Sequence, residues 1–223
     1  LGAASSKNEM EEVADIAIQN DLWVLSDDAY YEIRYTDEPP LSIVNLPGMK
    51  ERTVILYTFS KRFAMTGWRV GASIGPKRII EQIARFNIND ESCTNHFIQH
   101  ALAETLQDSD SNSALILNEL KKRRDICLTI LNSINGINLP KPESTFYLFL
   151  NVASIMSDKG YDNLDEFRVE ALKATGVSFC TRHHFGTSLK EETKKYIRLA
   201  YSGIDQNDIN SGLTHFKNWI EGE

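Results

Sequence analysis

The sequence has few cysteines and lacks long apolar runs, and each of these scarcities excludes a class of protein. The three cysteines, Cys93, Cys127 and Cys180, are odd in number and form no Cys-x-x-Cys pair. They therefore argue against a disulfide framework and a zinc knuckle, and favour a reducing, cytoplasmic compartment. No apolar stretch approaches the ~18 residues of a membrane-spanning helix. The first residues contain no basic region followed by an apolar core, so no signal peptide is predicted.

Positive charge is also scarce. The 24 basic residues are outnumbered by 31 acidic ones, and the net charge is −7. A chain of this balance is a poor candidate for binding the nucleic-acid backbone, which requires clustered positive charge. The densest basic run, Lys121-Lys122-Arg123-Arg124, lies inside a helical pattern and is predicted to be a solvated helix face. We therefore expect neither a nucleic-acid nor a membrane partner.

The order of apolar segments predicts an α/β fold. Short apolar runs at residues 22–25 and 54–57 are typical of buried parallel strands, and a third strand is predicted over 68–74. A polar segment at 107–113 separates them from a second region. In that region we predict strands at 146–150, 177–179 and 196–200, and helices at 164–175 and 205–220. The predicted domains are 1–110, the end of a large and mainly parallel-sheet domain, and 111–223, a small α+β domain.

Polar side chains follow the first two predicted strands at the point where each strand ends. Asp27 and Tyr30 come after the first strand, and Lys61 comes after the second. In open α/β sheets, ligands bind beyond the carboxyl ends of the strands. This shared location predicts a functional site there.

The residues around Lys61 have the chemistry of an anion pocket. Thr58 and Ser60 offer hydroxyls beside the lysine, and Arg69 follows eight residues after it. Hydroxyl, ammonium and guanidinium groups together favour phosphate, although the glycine and lysine pattern of a P-loop is absent. On these residues alone, a lysine and an arginine exposed on a surface loop remain the alternative.

Four ordered segments resemble the class I and II aminotransferases, pyridoxal-phosphate enzymes of the aspartate aminotransferase fold (fold type I). They are Thr58-Phe59-Ser60-Lys61 through Gly67-Trp68-Arg69-Val70-Gly71, Asp27-Asp28-Ala29-Tyr30, Pro142-Glu143-Ser144-Thr145-Phe146-Tyr147, and Ile197-Arg198-Leu199-Ala200. The first is similar to the signature [ST]-x-S-K followed by G-x-R-x-G, with the same spacing of lysine and arginine. The resemblance covers nearly the whole chain.

The resemblance implies a role for each site residue. By this resemblance, Lys61 carries pyridoxal 5′-phosphate as an internal aldimine and later acts as the base. The phosphate is bound at Thr58, Ser60 and Arg69. Asp27 contacts the pyridine nitrogen, Tyr30 contacts the 3′-hydroxyl, and Arg198 holds the substrate carboxylate.

Several neighbouring residues have alternative interpretations. Asp28 lies one position from Asp27, but the spacing to Tyr30 favours Asp27, and Asp28 is predicted to cap or to face solvent. Trp68 is predicted to be a core residue rather than a ring that stacks on a cofactor. Adjacent residues such as His183 and His184 point apart, so no metal site is predicted.

The resemblance implies an enzyme that transfers an amino group from an amino acid, small or acidic, to a 2-oxo acid, with a homodimer as the expected assembly. A lyase or synthase of the same fold and a non-catalytic aminotransferase-like sensor domain are the alternatives. The chain opens on Leu1-Gly2 and a small-residue run, Ala3 through Ser6, and a helix is predicted to begin directly after that run, so we expect an N-terminal part of the family's fold to be missing. We therefore expect these residues alone to have little activity.

Overall fold

The computed structural model describes residues 2–187, 189 and 191–222, and it divides into two compact units. The first unit is Ala4–Leu117, and the second comprises the described residues of Leu1–Ala3 and Asn118–Glu223. The division falls within a long helix, α5 (Ser109–Leu131), whereas the sequence predicts a boundary near the start of that helix. The assignment of large and small domains stays a prediction.

The first unit is built on a three-stranded sheet with the order β1-β2-β3. Strand β2 lies in the middle, parallel to β1 and antiparallel to β3. The elements ahead of α5 are α1 (Lys7–Gln19), β1 (Val24–Asp27), β2 (Thr53–Thr58), α2 (Phe59–Arg62), β3 (Gly71–Ile74), α3 (Lys77–Asp90) and α4 (His96–Gln107).

Side-chain caps fix the starts of two helices in this unit. The Ser6 hydroxyl accepts a hydrogen bond from the Glu9 amide, and the Glu9 carboxylate accepts one from the Ser6 amide. This reciprocal pair satisfies two amides that the helix itself leaves unbonded. Asn95 caps α4 by accepting from the Phe97 amide at 3.3 Å. Serine and asparagine are both among the residues that helix starts favour.

Two predicted strands have different bounds in the structure. Strand β1 begins at Val24, so Leu22 and Trp23 precede it. Strand β3 begins only at Gly71, because Thr66–Trp68 forms a turn of 3-10 helix. The prediction of Trp68 as a core residue is wrong, since 41% of its surface is exposed. The cause is the 3-10 turn, which replaces the strand that would have alternated side chains between two faces.

The second unit contains an antiparallel sheet with the order β4-β6-β5. Its core includes the fully buried side chains of Leu150, Phe167, Ile197 and Phe216. Besides the end of α5, its elements are β4 (Tyr147–Asn151), α6 (Ala153–Asp158), α7 (Leu164–Thr175), β5 (Cys180–Thr181), β6 (Tyr196–Ala200) and α8 (Gln206–Glu221).

The sequence misses helix α6, and it places a strand at 177–179, whereas β5 begins at Cys180. In the part of the chain that the structure describes, no helix has the length and hydropathy that crossing a bilayer requires.

Candidate active site

The first two strands deliver polar residues to one end of the sheet. Asp27, the last residue of β1, pairs with Leu56 of the parallel strand β2. Thr58, the last residue of β2, lies two positions beyond Leu56. Because the carboxyl ends of parallel strands meet at the same edge of a sheet, Asp27 and Thr58 share that edge.

Lys61 lies in the single helical turn that follows β2. The turn begins with a cap in which the Ser60 amide donates to Oγ1 of Thr58 over 3.2 Å. The Thr58 hydroxyl can still donate its own proton, since the cap uses the oxygen only as an acceptor. Ser60 is buried, and Nζ of Lys61 lies 5.8 Å from the centroid of the Tyr30 ring. The lysine that follows β2 and the tyrosine that follows β1 are therefore neighbours.

Arg69 approaches the same sheet edge from β3. Gly71, two residues later, pairs with Thr58, and the 3-10 turn that precedes Arg69 contacts α2. Arg69 has φ 52° and ψ 53°, the left-handed region, which is uncommon for a residue with a side chain. Its guanidinium donates to the Thr66 carbonyl at 3.1 Å. The four members of the predicted anion pocket thus belong to one end of one sheet.

Gly71 is required by the close approach of β3 to β2. A Cβ at this position would lie 2.7 Å from the Tyr57 carbonyl oxygen, and backbone atoms in a ladder cannot move aside cheaply. We expect Gly71→Ala to lower the free energy of unfolding by about 3 kcal/mol, measured by urea denaturation. Gly67→Ala is the matched control, since its Cβ meets no atom within 4 Å. Equal stability of the two variants would contradict the steric account.

The structure separates Asp27 from Asp28 by their partners. Both carboxylate oxygens of Asp28 accept serine hydroxyls, from Ser26 at 2.6 Å and from Ser42 at 3.2 Å. Asp27 is exposed and accepts the Ala29 amide at 3.3 Å. Both oxygens of Asp28 are therefore used in hydrogen bonds that stabilise the loop after β1. This arrangement favours Asp27 as the residue that meets a ligand, and that role stays a prediction.

Arg198 belongs to the second unit, where it lies in the middle of the central strand β6. Its cross-strand neighbours are Phe149 on β4 and Cys180 on β5. The guanidinium carbon lies 4.3 Å from the centroid of the Tyr147 ring and 4.4 Å from that of Phe185. The two rings hold the guanidinium by cation–π attraction, and one of its terminal nitrogens donates to Sγ of Cys180 at 3.9 Å.

Sequence reasoning missed a polar cluster beside Lys61. The Tyr57 hydroxyl donates to Oε2 of Glu32 at 2.7 Å, and the Arg62 guanidinium donates to Oε1 of the same carboxylate. Burial, followed by the hydrogen bond to Glu32, raises the pKa of Tyr57 to about 12. No short motif links residues this far apart in the chain, so the sequence offers no signal for the cluster.

The two adjacent histidines have protein partners in the structure. Nδ1 of His183 lies 3.1 Å from Oδ2 of Asp165, and Nδ1 of His184 lies 2.9 Å from the Thr181 hydroxyl. The bond to His183, ahead of the other contacts, holds the pKa of Asp165 below its usual value. These contacts attach the turn at 182–185, which contains Phe185, to the first turn of α7.

Comparisons with known proteins agree with the resemblance in the sequence. The chain is 33% identical over 204 residues to the aromatic-amino-acid aminotransferase 2 of Thermococcus litoralis, covering 90% of this chain and 50% of that protein. It is 35% identical over 203 residues to an aspartate aminotransferase of Pyrococcus abyssi, with the same coverage of both chains. The chain thus spans about half the length of the curated relatives it matches.

Solved structures show the same relationship. The crystal structure of an aromatic aminotransferase from Pyrococcus horikoshii OT3 superposes with a TM-score of 0.87 at 30% identity, covering 99% of this chain and 57% of that one. The prediction of the pyridoxal-phosphate fold type I is thereby confirmed. The family model described as aminotransferase class I and II matches residues 1–216. The chain belongs to the class I and II aminotransferase family.

Proposed function

We propose that the whole protein is a pyridoxal-phosphate-dependent aminotransferase that moves an amino group from a small or acidic amino acid to a 2-oxo acid. Members of the family use pyridoxal phosphate. The observation that carries the proposal is the position of Lys61, whose Nζ lies 5.8 Å from the Tyr30 ring centroid. It lies at the sheet edge to which β1 brings Asp27.

The residues at this edge fit the cofactor by their chemistry. Two hydroxyls, at Thr58 and Ser60, and the guanidinium of Arg69 are suitable donors for a phosphate. Asp27 offers a carboxylate for a ring nitrogen, and Tyr30 offers a phenol for the 3′-hydroxyl. The donor set therefore contains a partner for each polar group of pyridoxal phosphate other than the aldehyde, and Lys61 offers an amine for that.

When bound, pyridoxal phosphate supplies an aldehyde for an amine and a ring that draws electrons from the substrate Cα. Lys61 would supply the amine that attaches the cofactor, and the same amine would serve as the base for the proton on the substrate Cα. The Asp27 carboxylate would lie against the ring nitrogen, where its negative charge would favour the protonated form of that nitrogen. Asp27 ends β1 and Lys61 lies in the helical turn directly after β2, so neither residue is carried by a long loop.

Arg198 is proposed to hold the α-carboxylate of the substrate. A guanidinium and a carboxylate form two parallel hydrogen bonds, which fix orientation as well as affinity. The rings of Tyr147 and Phe185 hold this guanidinium in place, which supports a fixed orientation of its N–H donors toward a carboxylate. Orientation matters because it decides which bond at Cα is broken.

We expect Arg198→Leu to raise the KM for the amino acid about a hundredfold and Arg198→Lys about tenfold, since lysine keeps the charge but loses the paired bonds. Steady-state kinetics with the whole protein measures both values. Arg123→Leu is the control, because Arg123 is a partly buried arginine of the same unit that pairs with Glu119 at 3.0 Å. An unchanged KM in Arg198→Leu would refute the assignment.

The reaction is tested by following both possible products. The whole protein, loaded with pyridoxal phosphate, is mixed with 2-oxoglutarate or pyruvate and with aspartate, asparagine, alanine or phenylalanine. We expect a new 2-oxo acid in equal amount to the amino acid formed from the acceptor. Ammonia release without consumption of the acceptor would overturn the proposal in favour of a lyase. Cofactor binding without any product would favour a sensor domain.

The substrate class and the assembly belong to the same proposal. The similar proteins are named for aromatic amino acids, for aspartate and for asparagine, and the names for aspartate and asparagine support a small or acidic substrate. We propose a homodimer because family members are generally dimeric. The three cysteines are free thiols, which suits the reducing conditions of the cytoplasm.

A further inference from the structure

A cluster of side chains that has no assigned role surrounds the turn that carries Lys61. We call it the Arg62 cluster, and its members are Glu32, Tyr57, Arg62 and Asp110. The Arg62 guanidinium donates to Glu32 and, through its other terminal nitrogen, to Asp110 at 2.9 Å. The Tyr57 hydroxyl donates to the second oxygen of Glu32 at 2.7 Å. Arginine therefore makes a forked contact with two acidic side chains.

This cluster differs from the surface ion pairs of the same unit. The side chains of Arg62 and Glu32 are only 14% and 24% exposed, whereas those of Lys77 and Glu81 are 89% and 54% exposed. Exposed ion pairs contribute little to stability because water and salt screen the attraction between their charges. The Arg62–Glu32 contact is stronger and holds one geometry, since both of its partners have lost much of their water. The Asp110 side chain is 98% exposed, so the strength of the cluster depends on Glu32.

The members of the cluster flank both segments of the candidate active site. Tyr57 immediately precedes Thr58, and Arg62 immediately follows Lys61. Glu32 lies two residues after Tyr30. The bonds from Glu32 to Tyr57 and Arg62 therefore join the loop after β1 to the turn after β2 at the point where Lys61 meets Tyr30.

Because α2 is only one turn long, the contact between Arg62 and Glu32 matters for the direction in which the Lys61 side chain points. A single turn has few hydrogen bonds of its own to fix its rotation. Consecutive residues of a helix point about 100° apart, given 3.6 residues per turn, so fixing the direction of Arg62 also fixes that of Lys61.

We propose that the Glu32–Arg62 pair is a positioning device that holds the Lys61 amine against Tyr30, ready to receive the cofactor aldehyde. The proposal deepens the function proposed above and rests on it. Arg62 and Glu32 are positioning residues and touch no reacting atom. Tyr57 and Asp110 hold the pair in place from β2 and from α5.

The test uses the whole protein with three variants and one control. Arg62→Leu removes the forked contact, Arg62→Lys keeps only the charge, and Glu32→Gln keeps an acceptor oxygen but removes the charge. The control is Arg52→Leu. Arg52 is a partly buried arginine that precedes β2, at the end opposite to Lys61, and it bonds Asp21 at 3.2 Å and the carbonyls of Gly48, Ala17 and Leu22.

The first measurement requires no cofactor. The protein is reductively methylated with formaldehyde and cyanoborohydride, and peptide mapping gives the modification of Lys61 relative to Lys77. We expect Arg62→Leu to raise this ratio about fivefold, because a turn that opens more often exposes its amine. Arg62→Lys and Glu32→Gln should give smaller increases. Arg52→Leu should lower the melting temperature and leave the ratio unchanged.

The second measurement follows capture of pyridoxal phosphate, trapped on Lys61 with borohydride. We expect Arg62→Leu to slow capture about tenfold, since a misplaced amine reacts poorly even when it is more exposed. An equal Lys61 methylation ratio in wild type, Arg62→Leu and Glu32→Gln would overturn the positioning role. Failure of the wild type to capture cofactor at Lys61 would instead overturn the proposed function, and the methylation ratio would still decide the role of the pair. If Arg62→Leu does not fold, Glu32→Gln and Arg62→Lys decide it.

Discussion

Replacing Lys61 with alanine should abolish covalent attachment of pyridoxal phosphate and reduce transamination by at least about 10⁴-fold. Under the proposed function, the change removes one amine with two tasks, attachment of the cofactor and movement of the Cα proton, and proton transfer alone is worth up to about that factor. Absorbance of the cofactor, borohydride trapping followed by peptide mapping, and the rate of 2-oxo acid formation measure the loss. The melting temperature should change little, because the Lys61 side chain is not part of a buried core cluster.

Lys77→Ala is the matched control for this experiment. Lys77 lies in the same unit, at the start of α3, with an exposed side chain that pairs with Glu81. We expect this variant to attach cofactor and to turn over at the wild-type rate. Trapped cofactor on a lysine other than Lys61 in the wild type would show that the assignment is wrong.

Replacing Asp27 with asparagine should lower kcat about a thousandfold, and the same change at Asp28 should not. An amide cannot hold a ring nitrogen in its protonated form, so the variant loses the charge that makes the ring an electron acceptor. Cofactor should still attach to Lys61 in Asp27→Asn. Stopped-flow or steady-state rates per attached cofactor separate the lost chemistry from lost binding.

Asp28→Asn should instead show a loss of stability. The Asp28 carboxylate accepts the hydroxyls of Ser26 and Ser42, and hydrogen bonds to a charged acceptor are each worth about 1.5–3 kcal/mol. Because an asparagine oxygen replaces only one of the two acceptors, we expect a decrease of about 1–2 kcal/mol in the free energy of unfolding. Exchanged phenotypes of the two variants would reverse the assignment of the two carboxylates.

The sequence predicts the parts of the candidate site that local rules determine. Asp27 and Lys61 could be placed because each follows a short apolar run, and the carboxyl ends of parallel strands meet at one edge. The caps at Ser6 and Asn95 could be placed because capping acts within three residues. The family resemblance adds Arg198, whose surroundings in a different unit no local rule connects to Lys61.

The sequence does not predict features that depend on contacts distant in the chain. Glu32 and Arg62 are thirty residues apart, and nothing in either neighbourhood marks the other. The start of β3 depends on a 3-10 turn at Thr66–Trp68 and on the left-handed conformation of Arg69. Neither can be recognised in the run 68–74, which has the composition of a strand. Strand β5 has only two residues, Cys180 and Thr181, too few for any periodicity to indicate.

The middle position of β2 has a consequence for how the first unit opens. Its residues are hydrogen-bonded to β1 on one side and to β3 on the other, so both neighbours must separate before all of its amides are released. Deuterium exchange should therefore be slower along Thr53–Thr58 than along Gly71–Ile74 in the same unit. The strand that ends at Thr58 should then be among the last parts of this unit to open, and the turn that carries Lys61 begins from that stable end.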